Sequence, residues 1–553
     1  MLQPAATYDD LLTTFRWKVP VQYNMAASVS DRWAAEDPDR LAIRHVHGDG
    51  RLADWSHRAL NRAVNRLANG LVAQGVQVGD RVALLLPQSP QTAIAHLAVY
   101  KTGAIAVPLA ALFGPEALRY RLADSGARVL ICDEAGLAKV ADLGEGATAL
   151  ELVLVAGPGG VGREGGLRRT GLEELMAAGS DRFETRPSTP DDPALMIYTS
   201  GTTGNPKGVL HGHRVLLGHL PGIQMSQNFM PQAGDLLWTP SDWAWAGGLL
   251  NALFPALHLG VPVLSSDAQK FDPEWAFRFL ERQGVRNAFI PPTALKMMRA
   301  VPNPAKRFDL TWRSVGSAGE MLGREAYDWF AAEFGFEVNE FYGQTECNAV
   351  LGSCRAAGVS RSGAIGRAIP GHQVAVIDGE GRPVPAGEQG QIAIRRPDPV
   401  MFLEYWNNPK ATAEKFIGDW MITGDQGVMD EDGYVFFVGR DDDVITSAGY
   451  RIGPGEIEDC LLTHPAVALA AVIGKPDPVR TEVVKAYLVL GPEQVASEEL
   501  KGDIRDYVRN RLSAHEYPRE IEFVEALPLT TSGKVIRREL RARAEREAAA
   551  ESA

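Results

Sequence analysis

Twelve residues, Tyr198-Thr-Ser-Gly-Thr-Thr-Gly-Asn-Pro-Lys-Gly-Val209, hold three glycines, five hydroxyl residues counting Tyr198, and one lysine. A polyphosphate needs this mixture. Glycine lets the backbone approach closely and expose its N–H groups, hydroxyls donate to phosphate oxygens, and the lysine supplies positive charge. The flanks predict a strand leading in over Ala194–Ile197 and a helix leading out after Val209. A Gly-rich turn between strand and helix is well placed for an anion. The bland alternative for the same residues is a flexible surface loop.

A P-loop needs Gly, four residues, then Gly-Lys-Ser/Thr. Here Gly204 is followed by Asn205-Pro206-Lys207-Gly208, so Pro206 stiffens the turn and no hydroxyl follows the lysine to hold Mg²⁺. The stretch instead resembles the signature loop of the AMP-forming adenylate-forming enzymes: acyl-CoA synthetases, adenylation domains and luciferases. The resemblance implies that Thr199, Ser200, Gly201, Thr202, Thr203, Gly204 and Lys207 hold the phosphates of ATP.

Other runs agree with that family in order along the chain. Gly316-Ser-Ala-Gly-Glu320 resembles its adenine-binding turn, with Met321 in place of the usual proline. It implies a nucleotide contact for Gly319 and Glu320 and a place for Ser317 at the substrate pocket. Phe341-Tyr-Gly-Gln-Thr-Glu346 is the most specific run: Tyr342 offers an aromatic face to adenine, Thr345 a hydroxyl to the α-phosphate, and Glu346 an oxygen ligand to Mg²⁺. Asp425 in Thr423-Gly-Asp resembles the ribose carboxylate, and Arg440 the second ribose contact. Asp442, within Asp441-Asp-Asp443, falls at the family's hinge. Ser447-Ala-Gly-Tyr-Arg451 resembles the loop lining the pantetheine tunnel, so Gly449 would admit the thiol of coenzyme A and Arg451 meet a CoA phosphate. Lys534, in Pro528-Leu-Thr-Thr-Ser-Gly-Lys, resembles the adenylation lysine.

For the acid, Ser241-Asp-Trp-Ala-Trp-Ala-Gly-Gly248 reads either as core packing or as an apolar slot bordered by Trp243 and Trp245. Acetyl-CoA synthetases carry a tryptophan directly before Gln-Thr-Glu; Gly343 stands there here, which implies a deeper pocket. A medium-chain, branched or aryl acid is therefore expected rather than acetate, and the texture is most like the medium-chain acyl-CoA synthetases.

The elements that must position these residues alternate. Strands are predicted at Leu41–His45, Val82–Leu86, Ile105–Pro108, Arg128–Cys132, Asn287–Pro292 and Ser314–Ala318. Helices are predicted over Gln91–Tyr100 and Glu116–Ala123, and wherever Leu60, Val64, Leu67 and Leu71 recur at helical spacing. Alternation of this kind predicts an α/β fold, with βαβ-built sheets carrying helices on their faces. With 553 residues, more than one domain is expected. The expected division is a large N-terminal ATP- and acyl-binding domain over 1–440 and a small mobile α+β domain over 441–553. Gly157-Pro-Gly-Gly-Val-Gly162 spells a dinucleotide fingerprint, but polar, Gly-broken residues follow where a helix is required, so a surface loop is expected. The tail Glu539–Ala553 reads as a fraying helix.

The net charge of −13 argues against nonspecific nucleic-acid binding and demands that positive charge be focused wherever ATP binds. Four cysteines without a Cys-x-x-Cys pair read as reduced structural thiols, which suits the cytoplasm. No signal peptide and no membrane span are read. The expected activity is an ATP-dependent carboxylic acid–CoA ligase with Mg²⁺, in which Lys534 brings carboxylate and α-phosphate together. Two alternatives stand beside it: an adenylation enzyme loading a carrier protein, with Asp242 holding an amino group, and a non-catalytic ATP-binding scaffold. Homo-oligomerisation, and control of Lys534 by a lysine acetyltransferase and deacetylase, stay open.

Overall fold

The computed structural model describes residues 1–140, 149–157, 162–164, 167–199, 206–268, 271–441, 443–447, 450–477, 480–492, 494–512, 517–530 and 534–552. Two nine-stranded sheets dominate it. One has a mostly parallel centre formed by Leu41–Val46, Val263–Ser266, Leu237–Trp238, Asn287–Phe289, Ser314–Ser317 and Asn339–Gln344, with antiparallel strands at its edges. The other aligns Pro193–Tyr198, Ile105–Pro108, Arg81–Leu85, Val129–Asp133, Leu152–Ala156 and Leu167–Gly171 in parallel.

Successive strand residues point to opposite faces, and the cores obey that period. Val82, Leu84, Ala106, Ile131 and Leu195 face the largest core, where they meet Ile43, Val263 and Phe289 of the other sheet. Helices Pro90–Thr102 and Val215–Ser226 contribute to this same core. Ala83, Leu85, Val107, Leu130 and Met196 face outward onto the helix Pro115–Ser125. Phe277, Leu280 and Phe330, from helices Pro273–Gln283 and Arg324–Phe334, cover the outer face of the first sheet. A helix enclosed between two sheets must be apolar all round, and Pro90–Thr102 is buried along nearly its whole length.

A third sheet joins Val374–Ile377, Gln389–Arg395, Trp420–Met429, Phe416–Ile417 and Val435–Arg440. A fourth joins Tyr450–Ile452, Ile445–Ser447, Thr481–Leu490, Val467–Asp477 and Glu520–Phe523, so the chain changes sheets between Arg440 and Ile445. One face of the fourth sheet packs on Ile457, Leu461, Ile504 and Val508. The other is covered by Leu540 and Ala544 of the helix Arg537–Ser552. That helix is docked rather than frayed: Leu540 and Ala544 are one turn apart and buried, Glu547 pairs with Lys485, and Arg541 meets Asp443 at 2.7 Å. Its low apolar content hid the anchoring, which needs only those two buried positions and the ion pairs.

Two other expectations change. No helix directly follows the phosphate-loop stretch; Gly208–Gly212 is a strand, antiparallel to Pro193–Tyr198, so the loop joins two strands of a hairpin. Val209 and Leu210 are both buried in its ladder, and the helix begins only at Val215. After the false dinucleotide fingerprint the chain forms a second hairpin, Gly162–Glu164 with Leu167–Gly171, in place of a surface loop. The helical run Leu249–Leu257 contains a π-helical turn over Leu249–Leu253, and Pro255 sits in the first turn of the following helix, where its missing N–H costs nothing. All four cysteines are buried and none is in a disulfide, and no described helix is long and apolar enough to cross a membrane.

Helix Val215–Ser226 lies hard against the segment that leads to Tyr405. A Cβ at Gly218 would stand 2.4 Å from the Val400 nitrogen, while Arg214 Nη1 ties the same segment through the carbonyls of Asp398, Pro399 and Met401, each at 2.8 Å. Gly218→Ala should therefore force backbone movement and cost about 1–3 kcal/mol, read as an earlier urea midpoint with unchanged secondary structure before the transition.

Candidate active site

Asp425 is the buried centre of the site. It lies in the strand Trp420–Met429, opposite Arg440 on Val435–Arg440. Its Oδ2 accepts from the Tyr342 hydroxyl at 2.5 Å and from Gln344 Nε2 at 2.7 Å, while Oδ1 faces Arg440 Nε at 3.6 Å. Gln344 Nε2 also donates to the Thr423 carbonyl at 2.8 Å, and Lys415 Nζ bridges Gln344 Oε1 and that carbonyl, both at 3.2 Å. Burial pushes the Asp425 carboxyl above its ordinary pKa; Arg440, Tyr342, Gln344 and Lys415 pull the other way. Burial, then the adjacent Asp425 charge, holds the Tyr342 hydroxyl protonated. Tyr342 and Gln344 are alternate residues of the strand Asn339–Gln344, so one face of that strand reaches the carboxylate twice.

The turn after this strand carries Thr345 and Glu346. Glu346 is 8% exposed, and its Oε1 accepts the Tyr405 hydroxyl. Among the described residues no lysine or arginine forms an ion pair with Glu346. A buried carboxylate lacking a cationic partner is costly, and this one fits an oxygen-liganded cation such as Mg²⁺. Tyr405 also carries Lys207, whose ammonium sits 5.0 Å from the ring centroid. The Glu404–Tyr405 strand pairs with Gly208–Gly212, which fixes both lysine and tyrosine at the phosphate-loop hairpin. Thr199 N–H donates to the Lys207 carbonyl at 3.0 Å, closing the base of the loop. Ser200, Gly201, Thr202, Thr203 and Gly204 lie outside the described residues.

Lys534 is tied to Thr530 twice: Thr530 N–H donates to the Lys534 carbonyl at 2.7 Å, and Lys534 N–H to Thr530 Oγ1 at 3.0 Å. Its pKa is lowered by its enclosed position, opposed by Glu320, reinforced by Arg440 and opposed again by Asp425. The residue keeps substantial solvent exposure, so it occupies a crevice open to water rather than a sealed core. The fold thus brings Lys534 within electrostatic reach of Glu320, Asp425 and Arg440. Glu320 accepts from Thr293 Oγ1 at 2.6 Å, next to the exposed Gly319. Ser317 is fully buried with an unpartnered hydroxyl.

The residues expected at the acyl pocket divide. Trp245 is half-buried and packs edge-on to Phe113 with centroids 5.5 Å apart, whereas Trp243 is fully enclosed in the main core with no partner for its indole N–H. A Cβ at Gly343 would stand 2.4 Å from the backbone of Asn348 and Ala349. The hairpin's own packing therefore demands glycine there, whatever the depth of a neighbouring pocket. Arg451 lies in the strand Tyr450–Ile452, while Asp442 and Gly449 fall outside the described residues. Sequence reasoning passed over Gln344, Lys415 and Tyr405. Gln344 stood inside the quoted Phe341–Glu346 run; Lys415 and Tyr405 carry no local signal, because their partners are distant in the chain.

Comparison with known proteins places the whole chain among relatives. The AMP-binding enzyme family model matches residues 30–406, and the model of the AMP-binding enzyme C-terminal domain matches 456–534. The chain is 33% identical to the mitochondrial acyl-coenzyme A synthetase ACSM3 of Mus musculus over 98% of its own length and 93% of that protein's. It superposes on the anthranilate CoA ligase AuaEII in complex with anthranoyl-AMP with a TM-score of 0.87, at 29% identity, covering 96% of this chain and 99% of that one. An acyl-CoA synthetase of Brucella canis follows at TM-score 0.75 and 35% identity, covering 98% and 99%.

Hydrogen bonds to charged groups contribute about 1.5–3 kcal/mol each. Asp425→Asn keeps the shape, removes the charge and exchanges one acceptor oxygen for a donor beside Arg440. It should weaken AMP binding by roughly 10–100-fold in calorimetric titration.

Proposed function

The chain belongs to the family of AMP-binding enzymes, and from that premise we infer how its residues carry out the reaction. It is an AMP-forming carboxylic acid–CoA ligase that uses ATP and coenzyme A. The observation that carries the residue assignment is the convergence of Lys534 on Asp425, Arg440 and Glu320. A carboxylate oxygen attacks the α-phosphorus of ATP, the bond to the bridging oxygen breaks, and pyrophosphate leaves. This chemistry is mainly positioning and charge neutralisation. Lys534 holds the attacking carboxylate beside the α-phosphate, Asp425 accepts from the ribose hydroxyls with Arg440 beside it, and Lys207 meets the departing phosphates. Mg²⁺ held by Glu346 supplies neutralising charge at the phosphates when bound. The thiolate of coenzyme A then attacks the acyl carbon of the adenylate, and AMP leaves.

Residues 441–553 act as a mobile unit turning about Asp442, which withdraws Lys534 and brings Gly449 and Arg451 to the site. The change of sheets after Arg440 supports this reading, as does the nature of the contact. Asp459 packs where a Cβ on Gly323 would lie, and burial pushes its carboxyl up to about 6. An interface that buries an acid is readily parted. Once swung clear, Lys534 is open to a lysine acetyltransferase, and acylation would remove the charge that adenylation needs.

The acid is a medium-chain, branched or aryl acid rather than acetate. The likeness to a ligase holding anthranoyl-AMP supports the aryl branch. Carrier-protein loading is disfavoured because Asp242 is engaged in its own turn, accepting from Ala244 N–H at 3.0 Å. A non-catalytic scaffold would have no need of Lys534, Glu346 and Asp425 together. Four buried cysteines outside any disulfide support a reducing, cytoplasmic setting.

AMP release from ATP, measured over a panel of acids with and without coenzyme A, should be CoA-dependent and peak at medium-chain, branched or aryl acids. A peak at acetate would overturn the acid assignment, and pyrophosphate exchange without CoA-dependent turnover would favour carrier loading. Lys534→Ala and Lys534→Gln should slow adenylation by roughly 10²–10³ while leaving thioester formation from supplied acyl-adenylate nearly intact. Because Lys534 acts as the ammonium and its enclosure lowers its pKa, wild-type adenylation should decline with rising pH at a lower pH than an ordinary lysine would give. Full activity of Lys534→Gln would remove both the catalytic role and the acylation control.

A further inference from the structure

A second cluster lies in the first sheet, four strand spacings from Ser314–Ser317, or roughly 19 Å. Strand Leu41–Val46 runs parallel to Val263–Ser266, with His45 opposite Ser265. His45 and His47 are two residues apart, so they leave the same face, and their rings meet edge to face with centroids 4.8 Å apart. Asp267 follows the partner strand, its N–H donating to the Val46 carbonyl at 3.2 Å. Its carboxylate stands between the two rings, with Oδ1 2.9 Å from His45 Nε2 and Oδ2 3.4 Å from His47 Nδ1.

One donor atom from each of the three residues lies within 4.8 Å of the others. Tetrahedral zinc, with bonds of about 2.0–2.1 Å, needs donors roughly 3.3 Å apart, so only a small closure is required, and the half-exposed His47 is free to make it. Supporting contacts aim the donors as metal ligands usually are aimed. His45 Nδ1 stands 2.9 Å from Ser265 Oγ, so an Nδ1–H donated there leaves the Nε2 lone pair facing Asp267, and Gly48 N–H donates to Asp267 Oδ2 at 3.0 Å. The nearby Arg51 directs its guanidinium toward Asp49, at 4.0 Å. Two imidazoles with one carboxylate suit zinc and neighbouring transition ions, while magnesium and calcium take oxygen ligands.

We propose that His45, His47 and Asp267 form a zinc-class divalent metal site, with its remaining coordination position open to water or an external ligand. A metal there clamps the hairpin Leu41–Ser56 to strand Val263–Ser266. No role in adenylation follows, because the nucleotide residues lie four strands away.

The test uses the full chain, dialysed against chelator and then titrated with zinc chloride by calorimetry, with metal content counted after gel filtration. Cobalt(II) serves as an optical probe of the ligand set. One equivalent of zinc is expected, with tetrahedral-type visible absorption for cobalt. His47→Ala and Asp267→Ala should each weaken binding about tenfold or more. Both side chains are at least partly exposed, so the variants should keep their circular dichroism and their acid-dependent AMP release without added zinc. Absence of stoichiometric uptake by the native chain, or uptake unchanged in both variants, overturns the proposal.

Discussion

A buried carboxylate must be partnered or it destabilises the fold that encloses it. Asp425 meets that requirement with groups from two different sheets: Tyr342 and Gln344 from the first, and Arg440 from the neighbouring strand of the third. Satisfying one charge therefore locks two layers together at the centre of the candidate site. Lys415, Arg440 and Lys534 all lie within electrostatic reach of this charge. In a chain of net charge −13, such a concentration of cations can persist only where buried acids hold it.

The two large sheets supply rigidity for this arrangement. Their inner faces share one core, so strand ends carrying the phosphate-loop hairpin and the Ser314–Ser317 strand cannot shift independently. The hairpin contributes more than a loop. Its second strand pairs with Glu404–Tyr405, and Tyr405 in turn touches both Lys207 and Glu346. One ladder contact thus relates Lys207 to the carboxylate suited to a cation.

The C-terminal part carries a sheet and a core of its own. Its sheet is covered on both faces by its own helices, and Arg537 and Arg541 meet Asp443 from within. Among the described residues it touches the larger part where Gly455 and Asp459 face Met321 and Gly323, and where Gly453 and Pro454 meet Val438 and Gly439.

The alternation of strands and helices was legible in the sequence because burial on both faces leaves continuous apolar strands such as Val82–Leu85 and Val129–Cys132. The candidate nucleotide residues stood out for another reason: Tyr342, Glu346, Asp425 and Lys534 each sit in short runs whose local turn chemistry is distinctive. Whether a strand or a helix followed the phosphate loop was not legible, since Val209-Leu210 fits either and the decision belongs to its partners, Ile197 and Tyr405. The docking of the tail helix depended on two residues meeting a sheet encoded far upstream. Likewise, no neighbour in sequence marks Lys415, Tyr405 or the pairing of His45 with Asp267. Local composition determined which residues were suited to chemistry; only packing, through the burial of charges that then required partners, decided which of them stand together.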